Sequence, residues 1–95
     1  MTAAGTAARR EIALVNLRGL HARASAKFAR LAGTFSARVT VEKDGLSVDG
    51  TSIMGLMLLA AACGETIVIS AEGPDAAEAV AALAGLIEDR FSEAD

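Results

Sequence analysis

His21 is the only histidine in the chain, and Arg23 follows two positions later, within Asn16-Leu17-Arg18-Gly19-Leu20-His21-Ala22-Arg23-Ala24-Ser25. A neutral imidazole nitrogen is nucleophilic near physiological pH and can attack a phosphoryl group without first giving up a proton to a base. His21 therefore requires no triad, only a place for negatively charged oxygens beside the ring. Ile12, Leu14 and Leu17 suggest an apolar strand leading into Asn16, and Ala22–Ala32 has helix-forming composition. Arg18–Leu20 is then the connection, and His21 falls at the helix N-cap or one residue from it. At such a start the N–H groups of Ala22, Arg23 and Ala24 lack helical partners and present the positive end of the helix dipole to an anion. Arg23 adds a forked cation. A lone histidine is more often a cap or a filler, but these surroundings favour chemistry.

Gly19-Leu20-His21-Ala22-Arg23-Ala24-Ser25 closely resembles the active-site signature of HPr, the histidine-containing phosphocarrier family of the bacterial phosphotransferase system, including its nitrogen-related branch. Thr51-Ser52-Ile53-Met54-Gly55-Leu56-Met57 resembles the family's second signature, around a regulatory serine, and the spacing between the two segments agrees as well. The likeness covers nearly everything after about Arg10. Two positions depart from it. Ala24 stands where many members have proline, which is expected to loosen the first helical turn slightly without moving it. Thr51 stands where a basic residue often precedes the serine, which bears on recognition by a serine kinase and not on the histidine.

The resemblance implies a carrier and not an enzyme that turns over a small substrate. Enzyme I, charged from phosphoenolpyruvate, would place a phosphoryl group on Nδ1 of His21, giving a pros-phosphohistidine, and EIIA-type proteins would receive it. Arg23 would bind the phosphoryl oxygens. Ser52 would be the candidate for regulatory phosphorylation by an HPr kinase/phosphorylase.

Ninety-five residues make one small domain, too short for a second lobe closing over a substrate. Apolar residues are 53% of the chain, much of it alanine, with neither Trp nor Tyr, so the core is built from Leu, Ile, Val and Ala. A net charge of −3 without a basic cluster interleaved with stacking aromatics argues against nucleic acid as the partner. One histidine and one cysteine do not make a ligand set, and no metal or cofactor is implied. Cys63, after three alanines in an apolar run, reads as a small buried hydrophobe. Met1–Ala8 lacks a charged start followed by an apolar stretch, and Ile53–Cys63 falls short of the roughly 20 residues that span a bilayer. A soluble, cytoplasmic, monomeric protein is expected.

Residues 1–8 read as a loose extension, with the domain at 9–95. Glu11–Leu17 is the first strand. In the helix after it, Ala24, Phe28, Leu31 and Ala32 make an inward stripe, while Arg23, Lys27 and Arg30 recur at i, i+4 and i+7 on a cationic one. Gly33 is expected to end that helix in the left-handed conformation. Ala37–Lys43 and Leu46–Asp49 form a hairpin on Asp44-Gly45, with Ala37, Val39, Val41, Leu46 and Val48 turned inward. Thr51–Ala62 reads as a helix capped by Thr51 or Ser52, with Leu56, Leu59 and Ala60 inward. Methionine and isoleucine at the spacing of Ile53, Met54 and Met57 are more often core; the resemblance instead implies a patch that docks partners, with Lys27 and Arg30 at its charged rim. Thr66–Ala71 is a central strand, and Pro74–Glu78 starts a last helix whose apolar face is Val80, Leu83, Ile87 and Phe91.

The elements run βαββαβα, an α+β order with all helices on one face of a single sheet. Similarity to HPr implies the open-faced two-layer sandwich, a four-stranded antiparallel sheet under three helices. A purely regulatory binding module of the same fold would use the same apolar surface without phosphoryl transfer. The presence of both His21 and Arg23 favours the carrier.

Overall fold

A computed structural model describes residues 7–93. Its elements are β1 (Ala7–Ala13), α1 (Ala22–Ala32), β2 (Arg38–Lys43), β3 (Leu46–Asp49), α2 (Ile53–Leu58), β4 (Thr66–Glu72) and α3 (Ala76–Glu88), followed by a short turn over Arg90–Ser92. The expected βαββαβα order holds. The four strands lie in the order β1-β4-β2-β3, and every pairing is antiparallel. Since β1 and β2 both join β4, the β-branched run Thr66–Ile69 occupies the interior of the sheet, where such side chains pack best.

Register decides which side chains meet the helices. Ile12 stands opposite Ile67, Ala8 opposite Ala71, which in turn pairs with Val39, and Val41 lies between Ile69 and Val48. Ile67, Ile69, Val39, Val41 and Ala71 are buried on this face. From the helices come Ala24, Phe28 and Ala32 of α1, Leu56 of α2, and Val80, Leu83 and Ile87 of α3, all buried with them in one core. The Asp44-Gly45 hairpin is as expected, with φ of 52° and 84° at its two central residues, the left-handed pair that matches strand twist.

Several expectations need correction. The first strand runs over Ala7–Ala13 and not Glu11–Leu17, so Ala7 and Ala8, assigned above to the extension, belong to the sheet; residues 1–6 lie outside the described residues. Leu14 still bonds across, its N–H donating to Glu65 O and its carbonyl accepting from Gly64 N–H; beyond it the buried Asn16 folds the chain back, and Val15 and Leu17 are exposed. Gly33 ends α1 in the right-handed region, at φ −69°, with its N–H still bonded to Ala29 O. Leu46 is exposed, since its place opposite Lys43 lies at the far end of the hairpin.

α2 is much shorter than Thr51–Ala62. It stops at Leu58, and Ala60 takes φ 51° without being glycine. The cause is tertiary: Leu20 N–H donates to Ala61 O at 2.9 Å, which turns Ala61 inward and Ala60 out. Cys63, just beyond, is therefore exposed and not buried. Phe91 is buried as expected, yet not by a longer α3; Arg90, Phe91 and Ser92 all have φ between 55° and 61°.

Candidate functional site

The loop before His21 is fixed by its backbone. Gly19 has φ +63°, and a Cβ there would lie 2.3 Å from Ala61 O, so only glycine fits this corner. Gly19 N–H donates to Asn16 O, His21 N–H to Gly19 O, and Leu20 N–H to Ala61 O, while Ser25 Oγ donates to Leu20 O from inside the first turn. His21 is thereby held as the N-cap of α1, with extended φ −74° and ψ 179°, and its side chain makes no capping bond. The N–H groups of Ala22, Arg23 and Ala24 have no acceptor among the described residues, which leaves three donors and the dipole's positive end beside the ring. No acid occupies the first turn to compete with an incoming anion.

The ring itself is partly buried, its side chain 16% exposed. Its Nε2 makes a short contact with Oε2 of Glu93. The other oxygen of that carboxylate, Oε1, accepts from Nδ2 of the fully buried Asn16 at 3.1 Å, and the same amide nitrogen donates to Gly19 O at 2.8 Å. Two acceptors on one amide nitrogen fix which way the Asn16 amide points. With Nε2 engaged by a carboxylate, Nδ1 is the nitrogen left without a hydrogen-bond partner among the described residues.

Glu93 reaches the ring through the left-handed turn. Each non-glycine residue in that conformation costs on the order of 1 to 2 kcal/mol. Lys27 Nζ donates to Phe91 O at 2.6 Å, which offsets part of that cost and ties the turn to α1.

The other residues singled out in the sequence separate into groups. Arg23 lies in the first turn beyond His21, exposed and without a bonding partner among the described residues. Lys27, one turn on, is half-buried and committed to Phe91 O, while Arg30 is exposed beside a shallow cavity of about 300 Å³ that it lines with Lys27, Leu31, Thr34 and Leu86. Ile53, Met54 and Met57 are 43%, 73% and 41% exposed, and Leu58 and Leu17 are more than two-thirds exposed. Ser52 is the N-cap of α2, its Oγ accepting from Gly55 N–H at 2.9 Å. Just before it, Asp49 Oδ1 accepts from both Thr51 Oγ1 and Thr51 N–H, and those bonds, the hydroxyl's first, hold the Asp49 carboxyl below the usual carboxylate range. No cluster of three or more His, Cys, Asp or Glu able to hold a metal exists among the described residues, and no helix there is long and apolar enough to cross a membrane.

Sequence reasoning missed Glu93 altogether and gave Asn16 no role. An acid after an apolar helix end carries no local signal of where it will point.

In this small open-faced sandwich an imidazole nitrogen without a partner among the described residues stands at an open helix start, an arrangement able to receive an anionic group. Comparison with known proteins narrows the class: residues 8–89 match the family described as PTS HPr component phosphorylation site. The chain belongs to the HPr family of phosphocarriers of the phosphotransferase system. It is 48% identical to the phosphocarrier protein HPr of Cupriavidus necator, over 90% of this chain and 97% of that one. It is 36% identical to the phosphocarrier protein NPr of Shewanella violacea, over 90% and 93% of the two chains. Among solved structures, HPr-C-His from Thermoanaerobacter tengcongensis superposes with a TM-score of 0.87 at 44% identity, covering 90% of this chain and 97% of the other.

Proposed function

We propose that this protein accepts a phosphoryl group on Nδ1 of His21 from phosphorylated enzyme I and passes it to EIIA-type proteins, working as a cytoplasmic monomer. The observation that carries the reading is the pairing, at the start of α1, of Nδ1 with three amides, none of which has a partner among the described residues. Nδ1 attacks phosphorus, the bond from phosphorus to the donor breaks with its electron pair leaving on the donor, and the phosphoryl oxygens meet the amides of Ala22, Arg23 and Ala24 together with the Arg23 guanidinium. Transfer onward reverses the steps on an acceptor. The protein contributes position and charge, and partners supply the rest.

Docking falls to Ile53, Met54 and Met57, whose exposure on a helix otherwise anchored by buried Leu56 is unusual for core-type side chains. Lys27 and Arg30 add positive charge at the rim for acidic partners. Ser52 is the proposed regulatory phosphorylation site, acted on by an HPr kinase/phosphorylase, because its phosphate would add about two negative charges among the docking residues. The similarity to both HPr and NPr chains supports the carrier chemistry and leaves the sugar or nitrogen-type branch to be read from the acceptors.

The test is intact mass after mixing with phosphorylated enzyme I. The wild-type chain should gain one phosphoryl group that is lost in acid, as a phosphorus–nitrogen bond is, and His21→Ala should gain none. A group that survives acid, or that His21→Ala still accepts, would remove His21 from its role.

A further inference from the structure

We infer that Glu93 is a positioning residue for the histidine chemistry: its carboxylate holds the proton on Nε2 of His21 so that Nδ1 carries the reactive lone pair. The inference rests on the reading of His21 as the phosphoryl acceptor and adds a second residue to it.

Three independent features place this carboxylate by design of the fold. Oε2 contacts Nε2 while Oε1 is held by the buried Asn16 amide, which is itself locked to Gly19 O, so the acid is oriented from both sides. Its side chain is only 13% exposed, which strengthens a charged hydrogen bond relative to one in open water. The third feature is the backbone. By helical spacing, a plain continuation of α3 would already bring Phe91 onto the face of Leu83 and Ile87, without left-handed residues. The Arg90–Ser92 turn is thus not needed to bury Phe91; what it changes is the direction of the chain, sending Glu93 back across to the ring. Backbone strain retained where an easier path exists marks a functional constraint.

The chemistry asks for such an acid. When Nδ1 attacks phosphorus, the ring gains the phosphoryl group without losing the Nε2 proton and becomes a cation, which the adjacent carboxylate neutralises. On transfer to an acceptor the phosphorus–nitrogen bond breaks, its electron pair returns to Nδ1, and the ring departs as neutral imidazole with the Nε2 proton still in place. Loss of that proton from the phosphorylated ring would require imidazolate to leave, which is far harder. One fixed hydrogen bond therefore serves both directions.

Nitrogen-15 NMR of the imidazole, which distinguishes the two neutral tautomers, tests the placement of the proton whether or not any phosphoryl group is ever transferred. The wild-type chain should show protonated Nε2 and bare Nδ1; Glu93→Ala should lose that preference, and its rate of phosphoryl uptake from enzyme I should fall about tenfold, the low end of what a histidine's carboxylate partner contributes in metal sites. Glu93→Gln, which keeps an acceptor oxygen without the charge, should fall between the two. Glu88→Gln, which removes an exposed carboxylate from the end of α3, should match wild type in tautomer and rate. Unchanged tautomer and rate in Glu93→Ala would overturn the inference, and faster uptake would make Glu93 an obstruction instead. Failure of wild type to take up phosphoryl would refute the functional reading alone, since the tautomer measurement stands by itself.

Discussion

α1 and α2 begin in opposite ways. At α2 the Ser52 hydroxyl accepts from Gly55 N–H, and Asp49 orders the approach through Thr51. At α1 the N-cap is an imidazole that makes no capping bond, and three amides have no acceptor among the described residues. A capped start stabilises a helix by about 1 kcal/mol, so α1 forgoes what six-residue α2 secures. The longer helix can do without it, because Ala24, Phe28, Ala29 and Ala32 bury a full stripe against the core. The open start is the one proposed to react, and the packing of its own helix is what allows it to stay open.

Changes at the open start should alter transfer and not stability, whereas changes at the capped start should separate the two quantities. Arg23→Ala carries the larger effect: transfer from enzyme I should slow by about 10- to 100-fold, at or below the usual loss for one transition-state donor because the guanidinium is exposed. Its melting temperature should stay within a degree or two, and a normal rate would show that the amides suffice alone. At the capped start, Ser52→Ala should cost about 1 kcal/mol in urea unfolding with transfer unchanged. Ser52→Asp should do the reverse, since aspartate caps as well as serine while bringing negative charge to the docking patch. If Ser52→Asp transfers at the wild-type rate, Ser52 has no regulatory role.

The smallest effect is in pH. The Thr51 bonds hold the Asp49 carboxyl below its unfolded value, so its contribution is complete above the ordinary carboxylate range and lost as pH falls through the folded value. The stability difference between wild type and Asp49→Asn should accordingly shrink as urea unfolding is followed below about pH 4. A constant difference would mean that the turn into α2 does not depend on that charge.

The parts of this arrangement that the sequence disclosed are those with local causes. The limits of α1 follow from composition, and with them the place of His21 at its start, while the hairpin follows from Asp44-Gly45; the strand expected to lead into that start ends earlier, at Ala13. What it concealed has distant causes. α2 ends early because Ala61 answers an amide forty-one positions back in the chain, at Leu20, and the exposure of Cys63 follows from that. Glu93 was hidden more deeply, since Arg90, Phe91 and Ser92 take left-handed angles that favour glycine, and none of them is glycine.

The strand order also has a consequence during synthesis. β1 is made first but pairs only with β4, Ala7 lying opposite Glu72, so it leaves the ribosome with no neighbour in the sheet. α1 and the hairpin can form while it waits, yet the sheet closes only after most of the chain has emerged. His21 is translated early, and its carboxylate neighbour arrives seventy-two residues later. A nascent chain therefore carries the ring long before it carries Glu93, and the contact between them can form only after nearly all of the described residues have been made.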